Sequence, residues 1–251
     1  MRIASLGSGS RGNATLVQHG ATTILVDNGF SLKQFSQRLQ RFELEPHDID
    51  AVLLTHEHGD HSGGVQRLCG NHGIPLWTAV GTARAALTAD FDFHSLIAGN
   101  AVTIGEIEVL PVTVPHDASE PLQFIFHQLD NGRRLGLLTD TGHITHHIVE
   151  AFDGLDGLLL EFNYDPEMLE KGPYPEMLKQ RVGGNHGHLS NLQSLDLLRR
   201  IDTDKLVCLI AAHISEKNNA PGIVEALIRQ LDNVPMPVLA NQDAGFDWIT
   251  I

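Results

Sequence analysis

Short runs of apolar residues recur along this chain and predict buried β-strands. Four of them are nearly uninterrupted, at 51–54, 135–138, 157–160 and 206–212. Runs of this kind are typical of parallel strands that other elements cover on both faces. A polar residue follows each run, which indicates that the strand ends there and that a loop begins.

Helical patterns separate these strands. Ser31 is a suitable N-cap for a helix with apolar residues at helical spacing. Ser190 and Gln193 form a capping-box pattern at the start of another helix. One face of that second helix is predicted to be buried through Leu192, Leu195 and Leu198. The alternation of strands and helices predicts an α/β fold built in layers.

The length and composition fit a chain with a sizeable core. Of its 251 residues, 42% are hydrophobic, and no Pro/Ser-rich linker divides them. Residues 1–251 are therefore predicted to form one domain. Cys69 and Cys208 are too few for a disulfide framework. No secretory h-region or membrane-length apolar run is present, so the expected location is the cytoplasm, without membrane contact.

The formal net charge of −14 limits the possible partners. A broad, sequence-independent grip on nucleic acid requires a basic surface, which this composition argues against. Any nucleic acid would therefore be held locally, by bound cations and a few basic side chains.

Candidate chemistry is concentrated directly after the run at 51–54. His56, His58, Asp60 and His61 fall within six residues there. Imidazole and carboxylate are ligands that Zn²⁺ and similar divalent ions prefer. His56 and His58 can face one ion while Asp60 and His61 face another. The alternative is a solvated, histidine-rich surface loop, which seldom shows this spacing behind a buried strand.

The rest of the chain offers further ligand types in the same context. His116 follows the strand-like segment 112–115, Asp140 follows 135–139, and His213 follows 206–212. Four ligands are too few to complete two metal sites, and these three residues raise the number to seven. Because strand ends are where α/β proteins place their sites, we expect the seven side chains to meet.

The HxHxDH loop followed by a His, an Asp and a His at strand ends resembles the metallo-β-lactamase superfamily. The resemblance implies an αββα sandwich, with two mixed sheets flanked by helices, and two divalent metal ions per chain. Zn²⁺ is the favoured ion and Mn²⁺ the alternative. The resemblance implies that Asp140 bridges the ions. It assigns one ion to His56, His58 and His116, and the other to Asp60, His61 and His213. True β-lactamases of this fold carry Cys in place of Asp140, which argues against antibiotic hydrolysis.

Five other stretches narrow the resemblance to the bacterial YycJ/WalJ branch. They lie at 5–13, 161–165, 172–181, 187–191 and 213–219. The branch implies a 5′-to-3′ DNA exonuclease. Glu161 and His188 also resemble a Glu–His pair of tRNase Z that assists phosphodiester cleavage. Tyr164 stands where the branch usually has His, so the role of that position stays open.

The chemistry expected from this resemblance is hydrolysis of a phosphodiester by a hydroxide held between two metals. Asp60 would orient the hydroxide, and His188, oriented by Glu161, would protonate the leaving oxygen. Substrate contacts are predicted for Asn13, Lys179 and Arg181. The simpler alternatives are that His188 only packs before a helix, that Lys179 and Arg181 are solvated, and that 7–13 is an ordinary hairpin turn.

Two other functions stay open at this stage. A thioester hydrolase of the glyoxalase II type would use the same seven ligands, and a metal-dependent binding protein would need no turnover. DNA is favoured over RNA as the partner. The sequence decides neither this choice nor the metal, the exonuclease or endonuclease mode, or the oligomeric state.

Overall fold

Two β-sheets face each other across an apolar core in the computed structural model, which describes all 251 residues. The strands are β1 (Arg2–Gly7), β2 (Ala14–His19), β3 (Thr22–Val26), β4 (Ala51–Leu54), β5 (Leu76–Thr78), β6 (His94–Ser95), β7 (Val102–Ile104), β8 (Ile107–Thr113), β9 (Leu122–Gln128), β10 (Arg134–Leu138), β11 (Gly157–Glu161), β12 (Cys208–Ala212), β13 (Val238–Leu239) and β14 (Phe246–Thr250).

Nine α-helices connect the strands. They are α1 (Leu32–Leu39), α2 (Gly59–Ser62), α3 (Val65–His72), α4 (Val80–Ala86), α5 (His146–Ala151), α6 (Pro166–Lys171), α7 (Glu176–Val182), α8 (Asn191–Arg200) and α9 (Pro221–Ile228). None of them combines the length and apolar character that a membrane span requires.

The two sheets repeat one arrangement. The first has the order β14-β1-β2-β3-β4-β5-β6, and the second has the order β13-β12-β11-β10-β9-β8-β7. In the first sheet β3 to β6 run parallel and the other neighbours are antiparallel. In the second, β10 to β13 run parallel and β7 to β10 are joined antiparallel. Each sheet is therefore mixed, which confirms the predicted sandwich.

Strand alternation divides the apolar residues into three layers. Phe124 and Phe126 of β9 point between the sheets, where they meet residues of the first sheet such as Leu53. Ile125, between them in sequence, faces the opposite side, in the layer that includes Ile148 of α5. Leu54 of the first sheet likewise points outward, toward the layer beneath α1 and α3. Because successive side chains of a strand alternate, each sheet binds the other sheet and its own helices at once.

The predicted caps are present, and one predicted burial is wrong. Ser31 and Ser190 each accept a hydrogen bond from the residue three positions on, and both capping boxes are complete. Leu195 and Leu198 of α8 are buried as predicted. Leu192 is 55% exposed, because this first turn of α8 turns Asn191 and Ser194 toward the core instead.

We predict that Phe126→Ala lowers the free energy of unfolding of the metal-free protein by about 3–5 kcal/mol, since its ring is fully buried between the sheets. The exposed Leu192→Ala is the matched control and is expected to change it by less than about 0.5 kcal/mol. Urea titration followed by circular dichroism measures both values. Similar losses in the two variants would contradict the layered core.

Candidate metal centre

Strand ends bring the seven predicted ligands to one edge of the sandwich. His56 and His58 follow β4, and Asp60 and His61 lie on the short helix α2. His116 follows β8, Asp140 follows β10 and His213 follows β12. Three overlapping groups of ligand atoms, each within 4.8 Å of one another, contain all seven residues.

The first triad consists of His56, His58 and His116. Nδ1 of His58 lies 3.1 Å from Nε2 of His56 and 3.3 Å from Nε2 of His116. The rings meet nearly edge to face, at 76° to 86°. Three imidazole nitrogens therefore converge on one point.

The second triad consists of Asp60, His61 and His213. Nε2 of His61 lies 3.7 Å from Oδ2 of Asp60 and 3.4 Å from Oδ2 of Asp140. Asp140 also forms a group with His56 and His61, so its carboxylate lies between the triads. This is the location that a bridging ligand would need.

These residues fit divalent cations. A tetrahedral ion with bonds of 2.0–2.1 Å to nitrogen separates its ligand nitrogens by about 3.3 Å, which matches the spacing of the first triad. Oδ2 of Asp140 is buried and has no hydrogen-bond partner. A buried, unpartnered carboxylate oxygen is costly, and a cation beside it removes that cost.

Electrostatics distinguishes the two triads. Burial lowers the pKa of His56 well below its usual value and also lowers the pKa of His116, so both are neutral and ready to bind a metal. Burial opposes charge on His61 and His213 too. Two carboxylates together outweigh burial there: Asp140 with Asp27 raises the pKa of His61 to about 10, and Asp140 with Glu161 raises the pKa of His213 to about 9. A cation entering the second triad would therefore displace protons.

Asp27, directly after β3, supports the second triad and carried no predicted role. Its Oδ2 lies 2.7 Å from Nδ1 of His61, and its oxygens accept hydrogen bonds from the amide and hydroxyl of Thr55. This contact fixes the His61 ring so that Nε2 faces the centre. The signal was present in the sequence, since Asp27 also follows an apolar strand.

Three residues of the centre adopt the left-handed backbone conformation. Asp27 has φ 60°, Asp140 has φ 51° and His213 has φ 54°. Each lies just beyond a strand, where this turn directs the side chain to the centre. Non-glycine residues seldom adopt such angles, and strain of this kind concentrates at functional sites. Close packing adds a second constraint, because a Cβ on Gly29 would lie 1.9 Å from the carbonyl oxygen of Asp60.

Glu161, which is buried, and His188, which is half-buried, form a pair beside the triads. Nδ1 of His188 lies 2.8 Å from Oε1 of Glu161, and Nδ1 of His213 lies 3.1 Å from the same oxygen. The other oxygen, Oε2, accepts hydrogen bonds from the amides of Thr141 and Leu189. Burial alone would raise the pKa of Glu161, but His188 and His213 lower it to about 2.

A cavity of about 390 Å³ opens over the centre. Among its lining residues are Asp60, Asp140, His188, His213 and Arg181. The predicted substrate contact Arg181 therefore lies at the cavity. Its Nε donates to Oδ2 of Asp117, another lining residue, over 2.6 Å. Oδ1 of Asp117 in turn lies within 3.8 Å of His58 and His116.

The other two predicted substrate contacts do not line this cavity. Nδ2 of Asn13 lies 3.4 Å from Oδ2 of Asp60 and 3.1 Å from Nε2 of His61, so Asn13 contacts the ligands themselves. Nζ of Lys179 donates to the carbonyl of Glu170.

The loop 7–13 is more than a hairpin turn, because a distant residue fastens it at the rim of the cavity. Oε1 of Gln242 accepts from the amide of Arg11 over 2.6 Å, and its Nε2 donates to the carbonyl of Gly12 over 2.9 Å. Gly9 and Ser10 of this loop line the cavity together with Gln242. No local sequence signal connects the loop to a residue more than 200 positions away.

We compared the sequence and the structure with those of known proteins. Residues 22–213 match the family described as Beta-lactamase superfamily domain. Exodeoxyribonuclease YycJ of Bacillus anthracis is 32% identical over 237 residues, covering 92% of this chain and 89% of that protein. Exodeoxyribonuclease WalJ of Streptococcus pneumoniae is 32% identical over 245 residues, covering 94% and 90%. The structure of zinc-bound PqqB from Methylobacterium extorquens has a TM-score of 0.75 at 18% identity and covers 100% of both chains.

We predict that Asp27→Asn weakens divalent metal binding by about 10- to 100-fold, because the charged partner of His61 is lost. Competition with a chromophoric chelator at constant pH measures the affinity. Asp50→Asn is the control, since Asp50 accepts a backbone hydrogen bond from Thr23 and contacts no ligand. An unchanged affinity in Asp27→Asn would remove Asp27 from the support of the centre.

Proposed function

The chain belongs to the metallo-β-lactamase superfamily, in the branch of the YycJ and WalJ exodeoxyribonucleases, and we propose that it degrades DNA from the 5′ end with a dinuclear metal centre. Membership of this branch makes the protein a metal-dependent hydrolase of nucleic acid. The observation that carries the finer proposal is the contact between the buried Glu161 and the half-buried His188 at the cavity, since a phosphodiester has a poor leaving group that needs a proton.

The proposed ligands divide between two ions. His56, His58 and His116 would hold one ion, Asp60, His61 and His213 the other, and Asp140 would contact both. The histidine-rich donor set favours Zn²⁺, and Mn²⁺ is the alternative. When bound, a pair of divalent ions lowers the pKa of coordinated water toward 7 and withdraws charge from phosphoryl oxygens.

The chain's own groups would orient the reactants. The Asp60 carboxylate contacts Nδ2 of Asn13, which limits its rotation, and it faces the cavity where the attacking oxygen would lie. Arg181 presents its guanidinium to the same cavity and would contact a phosphate oxygen.

His188 would give its proton to the leaving 3′-oxygen. Its Nδ1 is engaged by Glu161, which leaves Nε2 as the nitrogen available to substrate. Glu161 is fully buried and its other oxygen is held by two backbone amides, so it would fix the orientation of the His188 ring toward the leaving oxygen.

A substrate panel tests the proposal. Protein loaded separately with Zn²⁺ and Mn²⁺ is expected to hold close to two ions per chain by elemental analysis. It is expected to shorten linear DNA progressively from the 5′ end, as followed by a label at the 3′ end. S-lactoylglutathione should show no turnover. Robust thioester hydrolysis without nuclease activity under either metal would replace this proposal with the glyoxalase II type.

We predict that His188→Ala slows cleavage of DNA by about 10²- to 10⁴-fold, the usual contribution of a general acid. Cleavage of bis(p-nitrophenyl) phosphate should hardly change, because that leaving group departs without a proton. Metal content should also stay constant. An equal loss on both substrates, or the loss of an ion, would show that His188 acts on the metals instead of on the leaving oxygen.

A further inference from the structure

One wall of the cavity is apolar and aromatic, although the centre beneath it is polar and charged. Tyr174, Leu178 and Val182 line the cavity at four-residue intervals, and Arg181 lies on the same wall. Leu178, Arg181 and Val182 belong to α7, and Tyr174 directly precedes its N-cap, Pro175. None of the proposed metal ligands accounts for an apolar surface at this point.

A small separate core supports this wall. Tyr164, Leu169 and Val182 are buried together, and Tyr174 and Leu178 pack against them. This cluster is distinct from the three layers that hold the sheets and helices together. It packs directly behind the wall, and the buried Tyr164 contributes to this packing.

The backbone around Tyr174 is restricted. Pro173 precedes it and Pro175 follows it. A residue before proline is held in an extended conformation, and each proline fixes its own φ. The backbone that carries Tyr174 is thus restricted before any ligand arrives, which reduces the entropy lost on binding.

The dimensions and chemistry of the cavity identify a ligand class. An aromatic ring, a guanidinium and a candidate metal centre around one cavity match the base and the phosphate of a nucleotide. Stacking of a base on an aromatic ring is tolerant of sequence, because every base has a π-face. The cavity of about 390 Å³ lies at the small end of ligand sites, so it fits one nucleotide and not a duplex.

We propose that Tyr174 stacks on the base of the terminal nucleotide while Arg181 contacts the phosphate that joins it to the rest of the strand. The inference rests on the proposed nuclease function and adds the recognition of a single unpaired end nucleotide. The base has to leave its partner strand to reach Tyr174, so single-stranded or frayed ends are the preferred substrates.

The test pairs changes in the protein with changes in the DNA. Tyr174→Ala is expected to lower kcat/KM about tenfold, mainly through KM, on a single-stranded oligonucleotide with a normal 5′ terminal base. On the same oligonucleotide with an abasic 5′ terminal residue, wild type and Tyr174→Ala should be equal. Tyr174→Phe keeps the ring and should match the wild type on both substrates.

Met177→Ala is the matched control, since Met177 lies on the same helix, is 84% exposed and does not line the cavity. It should leave both substrates unaffected. An equal loss of kcat/KM for Tyr174→Ala on normal and abasic ends would overturn the stacking inference. So would a loss that disappears when the second residue of the oligonucleotide is abasic and the first is normal. Absence of nuclease activity in the wild type would instead overturn the proposed function.

Discussion

The carboxylate of Asp140 is the constraint on which the centre depends. It is buried, its Oδ2 has no hydrogen-bond partner, and its backbone is held in a left-handed turn. Burial opposes its ionisation, but the charges of His213 and His61 beside it keep the pKa of Asp140 well below its usual value. Such a group is tolerable only beside positive charge. The histidines beside it supply that charge here, and bound cations would supply it when those histidines are deprotonated.

The rest of the fold serves to bring strand ends to this carboxylate. The parallel halves of the two sheets end at the same edge, so β3, β4, β10, β11 and β12 all deliver a polar side chain there. The antiparallel halves contribute mainly to the core between the sheets, as Phe124 and Phe126 illustrate. The strain of three left-handed residues is confined to the edge, and the apolar layers behind it hold those residues in place.

The layered fold and the convergence of the seven candidate ligands could be predicted because their signals are local. An apolar run and the polar residue that follows it are adjacent in sequence, and this rule indicates His56, Asp140 and His213. The same rule applied to β3 would have indicated Asp27. The Asp117–Arg181 contact joins residues 64 positions apart and has no local signal. Leu192 was predicted wrongly because periodicity gives the spacing of a helical face and does not decide which turn lies over the core.

The hydrogen bonds between Gln242 and the loop 7–13 form late in the synthesis of the chain. The candidate ligand set is complete once His213 has been synthesised, but the loop at the cavity rim stays unfastened until Gln242 follows. β14, which pairs with β1 at the very start of the chain, emerges later still. All seven candidate ligands are therefore synthesised about thirty residues, roughly two to six seconds at usual rates, before the residue that fastens the loop. Completion of the ligand set and fastening of the cavity rim are thus separated in time by the order of the chain itself.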